Sequence, residues 1–412
     1  LSAGGLELAP RFRIETGYDT NAFYRAADAT RPTAVKLDLV PSLNVSTASP
    51  RAVDFGASAS ARFEQYLGGD DAAQREAFRQ MGGVDLGLAT FLRLNPLGVV
   101  SLMPAVDYRR SNDPASNASG DAWRNTYNQT SIELGLHPGG ALRTSRMGIS
   151  GYLRGFQRVY RFNLREQLNR DSLGGEVRLN WNVLPKSAFF LLASIATIRY
   201  KEDALTTDVA IGQTETVTIT NANSNAMPVR VSGGFDGLLT RRFGILIRGG
   251  YGIGNYDGGE TVSTLIGQLQ ATVYANQRTN FRLGVNRDFA DSNLGNFLTF
   301  NRIYAGVQSN AGKVQVSLDA DVTFTRYASI ENPSFNGVSV YGTDSRQDTL
   351  LGGTFDFVYK FTPWFGAGAN YRIQVRDSNF SAASVIDNNF VDPASSASFT
   401  RHAVAFVLQF GF

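Results

Sequence analysis

Apolar and polar residues alternate with a period of two along stretch after stretch of this chain. Val53, Phe55, Ala57, Ala59, Ala61 and Phe63 fall on one face of a segment whose other face carries Asp54, Ser58, Ser60, Arg62 and Glu64. Val314, Val316, Leu318, Ala320, Val322 and Phe324 repeat the pattern against Gln315, Ser317, Asp319, Asp321, Thr323 and Thr325. A third run sets Phe365, Ala367, Ala369, Tyr371, Ile373 and Val375 against Asn370, Arg372, Gln374 and Arg376. Successive strand side chains point to opposite faces, so each run predicts a strand with one apolar and one polar side. The runs are about 10 to 14 residues long, roughly twice the usual strand of a soluble sandwich. Lipid tolerates no unpaired backbone N–H or C=O, so long strands with one apolar face must close on themselves. The expected fold is all-β: a transmembrane, antiparallel, up-and-down barrel with its apolar faces outward and its polar faces on a wet lumen.

The connections sharpen the picture. Short links are expected at Ser46–Arg51, Asn95–Gly98, His137–Ala141, Leu184–Ser187, Thr240–Arg242, Asn276–Arg278, Ser309–Lys313 and Thr362–Trp364. Long polar stretches fall between them, at Asp19–Pro32, Gly68–Gln80, Arg110–Arg124, Lys201–Ala226, Ala328–Asp348 and Ser378–Ala397. Outer-membrane barrels have short periplasmic turns, long external loops and an even strand number, and the count here comes to about 18. Residues 1–412 are therefore expected to form one barrel domain with no separate plug ahead of the wall. The Lys201–Ala226 stretch suits a surface lid or a short external hairpin. Trp181, Tyr251, Tyr359, Phe361 and Trp364 suit the aromatic girdles at the membrane interfaces.

Composition narrows the classes. No apolar run reaches 18 residues, and the best, Ala188–Ile198, ends at Arg199, too short for a spanning helix. Cysteine is absent, which removes disulfides, thiolate catalysis and cysteine-ligated metals. The net charge of +3 is dispersed and not gathered in a basic tract, so nothing points to nucleic acid. Leu1-Ser2-Ala3-Gly4-Gly5 lacks a basic start and an apolar run, so a secretory signal is expected to have been removed. The expected location is a bacterial outer membrane, among its lipid and lipopolysaccharide. At the far end Val404, Phe406, Leu408, Phe410 and Phe412 alternate to a terminal aromatic. Phe406, Leu408, Phe410 and Phe412 thus resemble the insertion signal read by the barrel-assembly machinery, an expected partner.

The segment Arg11-Phe12-Arg13-Ile14-Glu15-Thr16-Gly17-Tyr18-Asp19-Thr20-Asn21-Ala22-Phe23-Tyr24 resembles the opening of the β-barrel porin 2 family, carried by Gly17-Tyr18-Asp19 with Asn21 and Phe23. The resemblance implies an outer-membrane barrel associated with exopolysaccharide export: a passive conduit for exopolysaccharide or capsule, partnered by a periplasmic polysaccharide export protein. The alternatives are a diffusion porin for small hydrophilic solutes and a non-conducting structural or adhesive barrel.

Strand parity assigns the lumen. Arg62, Arg93, Arg109, Arg178, Arg230, Arg248, Arg282, Arg302, Arg372 and Arg376 face inward with Asp54, Asp85, Asp319, Asp321 and Asp356. Arginine leads slightly, and its planar fork suits carboxylate and phosphate, so a modest preference for anions is expected. Inward charges also pair across neighbouring strands and simply keep the wall wet. Inward glycines, Gly244, Gly250 and Gly252 on one strand and Gly366 and Gly368 on another, leave room for a group to approach the wall. No helix follows them, so they are not nucleotide loops. Catalysis is not expected: the two histidines, His137 and His402, lie at a turn and on the outward parity of the last strand, with no serine elbow. Asp257 with Glu260 and Asp387 with Asp392 lack a complete calcium-loop spacing, so no metal site and no cofactor are expected.

Overall fold

The computed structural model describes residues 2–3, 5–22, 33–48, 52–111, 127–138, 146–160, 168–201, 204–211, 213–220, 224–257, 261–292, 296–328, 334–335, 338–339, 345–386 and 389–411. Among these, one sheet of 19 strands includes a two-residue stub, Ser2–Ala3, laid on the start of its neighbour; the remaining strands are the wall. In chain order they are β1 (Leu6–Asp19), β2 (Ala34–Thr47), β3 (Val53–Gly68), β4 (Gly83–Leu94), β5 (Val100–Ser111) and β6 (Tyr127–Pro138). The middle third is β7 (Met147–Tyr160), β8 (Arg170–Leu184), β9 (Ser187–Tyr200), β10 (Ala226–Thr240), β11 (Phe243–Tyr256) and β12 (Thr261–Asn276). The wall ends with β13 (Thr279–Asp291), β14 (Phe297–Ala311), β15 (Val314–Ala328), β16 (Arg346–Lys360), β17 (Phe365–Ser378) and β18 (Phe399–Gly411).

Each strand pairs antiparallel with the strands before and after it in sequence, and β1 pairs with β18 from Arg11 opposite Gly411 to Asp19 opposite Ala403. The sheet is therefore a closed barrel of 18 strands without an edge, the arrangement expected from the alternation. Strands of 12 to 16 residues exceed the roughly 9–11 that a tilted strand needs to cross a bilayer.

The tight turns lie on one side, at Leu184–Ser187, Thr240–Phe243, Asn276–Thr279 and Ala311–Val314. Arg278 N–H donates to Asn276 Oδ1 at 2.8 Å and Arg242 N–H to Thr240 Oγ1 at 3.2 Å, local bonds that hold a chain reversal. Gly312 takes φ +62°, a left-handed conformation that glycine adopts without a Cβ penalty. The link after β6 is longer than expected, because β6 runs to Pro138 and β7 begins only at Met147. His137 accordingly lies on a strand and not in a turn.

The opposite side carries the longer connections. The Gly68–Gln80 stretch holds a helix, α1 (Ala72–Met81), that strand parity had not revealed. Asp71 caps it, accepting a bond from Gln74 N–H at 2.7 Å. The Lys201–Ala226 stretch contains a paired hairpin, Ala204–Ile211 with Gln213–Thr220, and the stretch after β17 contains another, Ser381–Ile386 with Asn389–Ser396. The connections Tyr256–Thr261 and Asp291–Phe297 on this side are short.

The outer surface is an apolar band: Leu153, Leu173, Leu265 and Leu283 are each at least 60% exposed, with no protein in front of them. Toward the short-turn rim lie touching aromatics, Trp181 on Phe189 on Phe235, and Phe361 on Phe365 on Phe410, with centroids 5.2–6.0 Å apart. A wall with this exterior is a membrane-spanning barrel. Leu269, at the middle of β12 and 48% exposed, gives a direct check. Leu269→Arg is expected to cost about 2–4 kcal/mol in lipid refolding titrations, as for a cation at the bilayer midplane. Gln268→Arg, one residue away on the other face, is expected to cost much less.

Candidate functional site: the lumenal wall

A side chain can reach over an intervening strand only from the concave side of a closed sheet. Several ion pairs do so and thereby fix the lumenal face. Arg13 of β1 reaches Asp356 of β16 at 3.3 Å, Arg154 of β7 reaches Asp107 of β5 at 3.1 Å, and Arg178 of β8 reaches Asp236 of β10 at 3.8 Å. Arg230 of β10 spans two strands to Asp288 of β13 at 3.2 Å, and Arg282 of β13 bonds Asp319 of β15. The polar parity is thus the inner one.

The expected lumenal residues divide by partner. Arg302 pairs with Asp321 at 3.2 Å, Arg248 shares Asp288 at 3.8 Å, and Arg62 lies 3.8 Å from Asp38, which Lys36 also engages at 3.3 Å. Arg93 donates to Ser101 Oγ at 2.7 Å and to the Pro138 carbonyl at 3.3 Å. Asp356 accepts from Asn370 at 2.7 Å as well as from Arg13. Asp54 and Asp85 are half-buried. Arg109 and Arg372 are exposed to the lumen and, among the described residues, have no ion pair or hydrogen bond. Most of the arginine charge is therefore neutralised by the wall itself, as cross-strand pairing requires, and the anion preference rests on a small remainder.

Arg376 keeps the inward parity but is buried. It is 4% exposed, packed over the Phe399 ring at 4.8 Å and 3.7 Å from Asp348, so it braces the mouth and does not line open water. Its neighbour Arg346, fully buried, grips Asp348 through Nε at 2.9 Å and Nη2 at 2.7 Å and lies over Tyr327 at 4.6 Å. A second buried clamp joins the first and last strands. Arg401 donates to both oxygens of Asp19 through Nε, at 2.9 and 3.1 Å, and through Nη2 at 2.5 Å. Asn21 Nδ2 donates to the Thr400 carbonyl at 3.1 Å, and Thr20 and His402 exchange two bonds at 2.9 Å. The Asp19 and Asn21 of the opening motif thus close the seam of the barrel. Phe23 of that motif lies outside the described residues.

Three apolar clusters stand against the inner wall toward the long-loop side. Phe78 of α1 stacks on Tyr66 beside Ala22 and Ala34. Ile198, Ala226, Tyr256, Val262, Ile266 and Phe289 form a second, and Leu298, Tyr327, Phe380 and Ala397 a third. The inward glycines of β11 explain the second: a Cβ on Gly252 would lie 2.4 Å from the Phe289 ring, so the group that approaches the wall is the protein's own phenylalanine. Phe289 shares parity with the lipid-facing Phe281 and Leu283, yet it turns inward. Its N–H is held by Asp288 Oδ1 at 2.8 Å, its carbonyl accepts from Arg230 at 2.7 Å, and the Arg230 guanidinium sits 4.0 Å from its ring. Alternation alone carries no signal for this reversal.

The remaining candidates play other parts. His402 faces outward and accepts or donates one bond with the Tyr371 hydroxyl at 2.8 Å. Asp257 accepts from Asn225 at 3.1 Å; Glu260 and Asp387, and the side chain of Asp392, lie outside the described residues. No group of three acidic or histidine side chains suited to a metal occurs among the described residues. On the last strand Phe406 is 51% exposed on the outer face and Phe410 joins the rim aromatics, while Phe412 lies outside the described residues.

No family model and no curated protein matches this sequence. Solved structures do. OccK5 (OpdH) of Pseudomonas aeruginosa is 10% identical over 100% of both chains with a TM-score of 0.46. OccAB4 of Acinetobacter baumannii is 10% identical over 98% of each chain with a TM-score of 0.49. The siderophore receptor PirA of Pseudomonas aeruginosa is 10% identical, with 98% of this chain and 80% of that chain covered and a TM-score of 0.45.

Proposed function

We propose that this barrel is a passive diffusion channel for small hydrophilic solutes in a bacterial outer membrane. The observation that carries the reading is the lumen: charged side chains reach across strands over a concave, polar wall whose convex side is apolar. An 18-stranded wall is wide enough to hold water. Toward the long-loop side the bore is narrowed by inward-packed residues, Phe78, Phe289, Arg346 and Phe380 among them. A narrowed mouth suits small solutes better than the polymer that the β-barrel porin 2 resemblance implies, and no feature of the wall favours polysaccharide over small solutes. The outward Phe406 and Phe410 would serve recognition by the barrel-assembly machinery.

Purified protein in planar bilayers is expected to give discrete conductance steps, with reversal potentials in a salt gradient showing at most a weak anion preference, because Asp54 and Glu133, like Arg109 and Arg372, have no ion pair among the described residues. Cation selectivity would remove the anion preference. A barrel that folds and inserts but passes no current would instead favour the structural or adhesive reading.

A further inference from the structure

Arg372 sits on β17 with Thr354 of β16 opposite it on one side and Ala403 of β18 on the other. Neither neighbour carries charge. The acids that share a recess with it are already engaged: Asp319 by Arg282 and Asp321 by Arg302 on one side, and Glu15 by Arg13, Asp19 by Arg401 and Asp38 by Lys36 on the other. Arg372 is exposed and, among the described residues, makes no ion pair and no hydrogen bond. It opens onto a lumenal recess of about 430 Å³ whose wall also carries Gln374 and Thr354 and whose floor includes Gly352, with the Asp321 carboxylate beside it.

From this juxtaposition we propose that the recess is a binding subsite for small organic anions, with the Arg372 fork taking a carboxylate or phosphate group and Gln374 and Thr354 bonding hydroxyls beside it. Guanidinium matches both anions with paired N–H donors, and the recess sets three arginines against two carboxylates, Asp319 and Asp321, which leaves one positive charge over. Arg282 and Arg302, in the same recess, are spoken for by Asp319 and Asp321, so the free charge falls at one position. The proposal rests on the channel reading for its role in transport but not for binding itself.

The test compares wild type with Arg372→Gln and Arg109→Gln. Arg109 is the control because it is likewise exposed and unpaired among the described residues, but lies on β5, far around the wall. Both variants lose one lumenal charge, and neither loses a structural contact. Block of single-channel current is measured with gluconate, with glucose 6-phosphate and with neutral glucose, and binding of the same three probes to the barrel in detergent is measured by calorimetry. Arg372→Gln is expected to weaken at least one of the anionic probes about tenfold, the scale of one charge-assisted bond, and Arg109→Gln to change them less than about twofold. Gluconate against glucose 6-phosphate tells whether carboxylate or phosphate is preferred, and glucose should respond to neither substitution. Equal weakening in both variants, or none in Arg372→Gln, overturns the subsite. Calorimetric binding that depends on Arg372 in a barrel that never conducts would keep the subsite and overturn the channel.

Discussion

Replacing Asp19 by asparagine is expected to destabilise the barrel by about 3–5 kcal/mol, the cost of leaving one member of a buried ion pair unmatched. Asp19 is fully buried and Arg401 is 6% exposed, so neither water nor salt can take over the lost partner. The pair joins β1 to β18, and those strands meet only when the rest of the wall has formed, so the substitution acts on the closing step. The folded band of the variant on unheated gels should disappear at markedly lower temperature than that of wild type, and refolding into lipid should slow. Arg154→Gln makes the comparison. It removes a pair whose side chains are 42% and 38% exposed in the lumen, where such pairs contribute about 0–1 kcal/mol, and should leave heat resistance nearly unchanged.

Phe289→Ala is expected to have the second large effect, and on two readouts at once. Truncating a side chain that is 2% exposed typically costs about 3–5 kcal/mol, since the space left above Gly252 and Gly254 has little to collapse into it. The same truncation takes a ring out of the bore and removes the aromatic face against which the Arg230 guanidinium lies. Single-channel conductance should therefore rise while heat resistance falls. A fall in stability with unchanged conductance would mean that the cluster around Phe289 lies outside the conducting path.

Much of the wall was legible because lipid enforces a simple rule. Along β15 every second residue from Val314 to Phe324 is apolar, the intervening ones are polar, and the structure keeps that register without a break. That inward charges pair also follows from parity, but not which ones: Arg302 takes Asp321 on the next strand, while Arg282 reaches Asp319 over β14. What escaped the sequence is what departs from the rule by contacts distant in the chain. Phe289 turns inward because Asp288 and Arg230 hold its backbone, and Arg230 lies three strands away. Arg376 is drawn into a buried cluster by Asp348 and Phe399, which arrive from different strands. Helix α1 is short, half of its residues are charged or amide-bearing, and Phe78 anchors it to the wall, so a period of two says nothing about it. The opening motif was visible as a resemblance, but its physical task, holding Arg401 across 382 residues of chain, depends on closure of the barrel.

The most direct measurement on the orientation of the wall exploits the absence of cysteine. Single substitutions Leu318→Cys, Asp319→Cys, Ala320→Cys, Asp321→Cys and Val322→Cys along β15, reconstituted in liposomes, are exposed to a water-soluble, membrane-impermeant thiol reagent. Labelling is expected at 319 and 321 and not at 318, 320 or 322. Equal labelling at all five positions, or labelling confined to 318, 320 and 322, would contradict a barrel with lipid outside and water within.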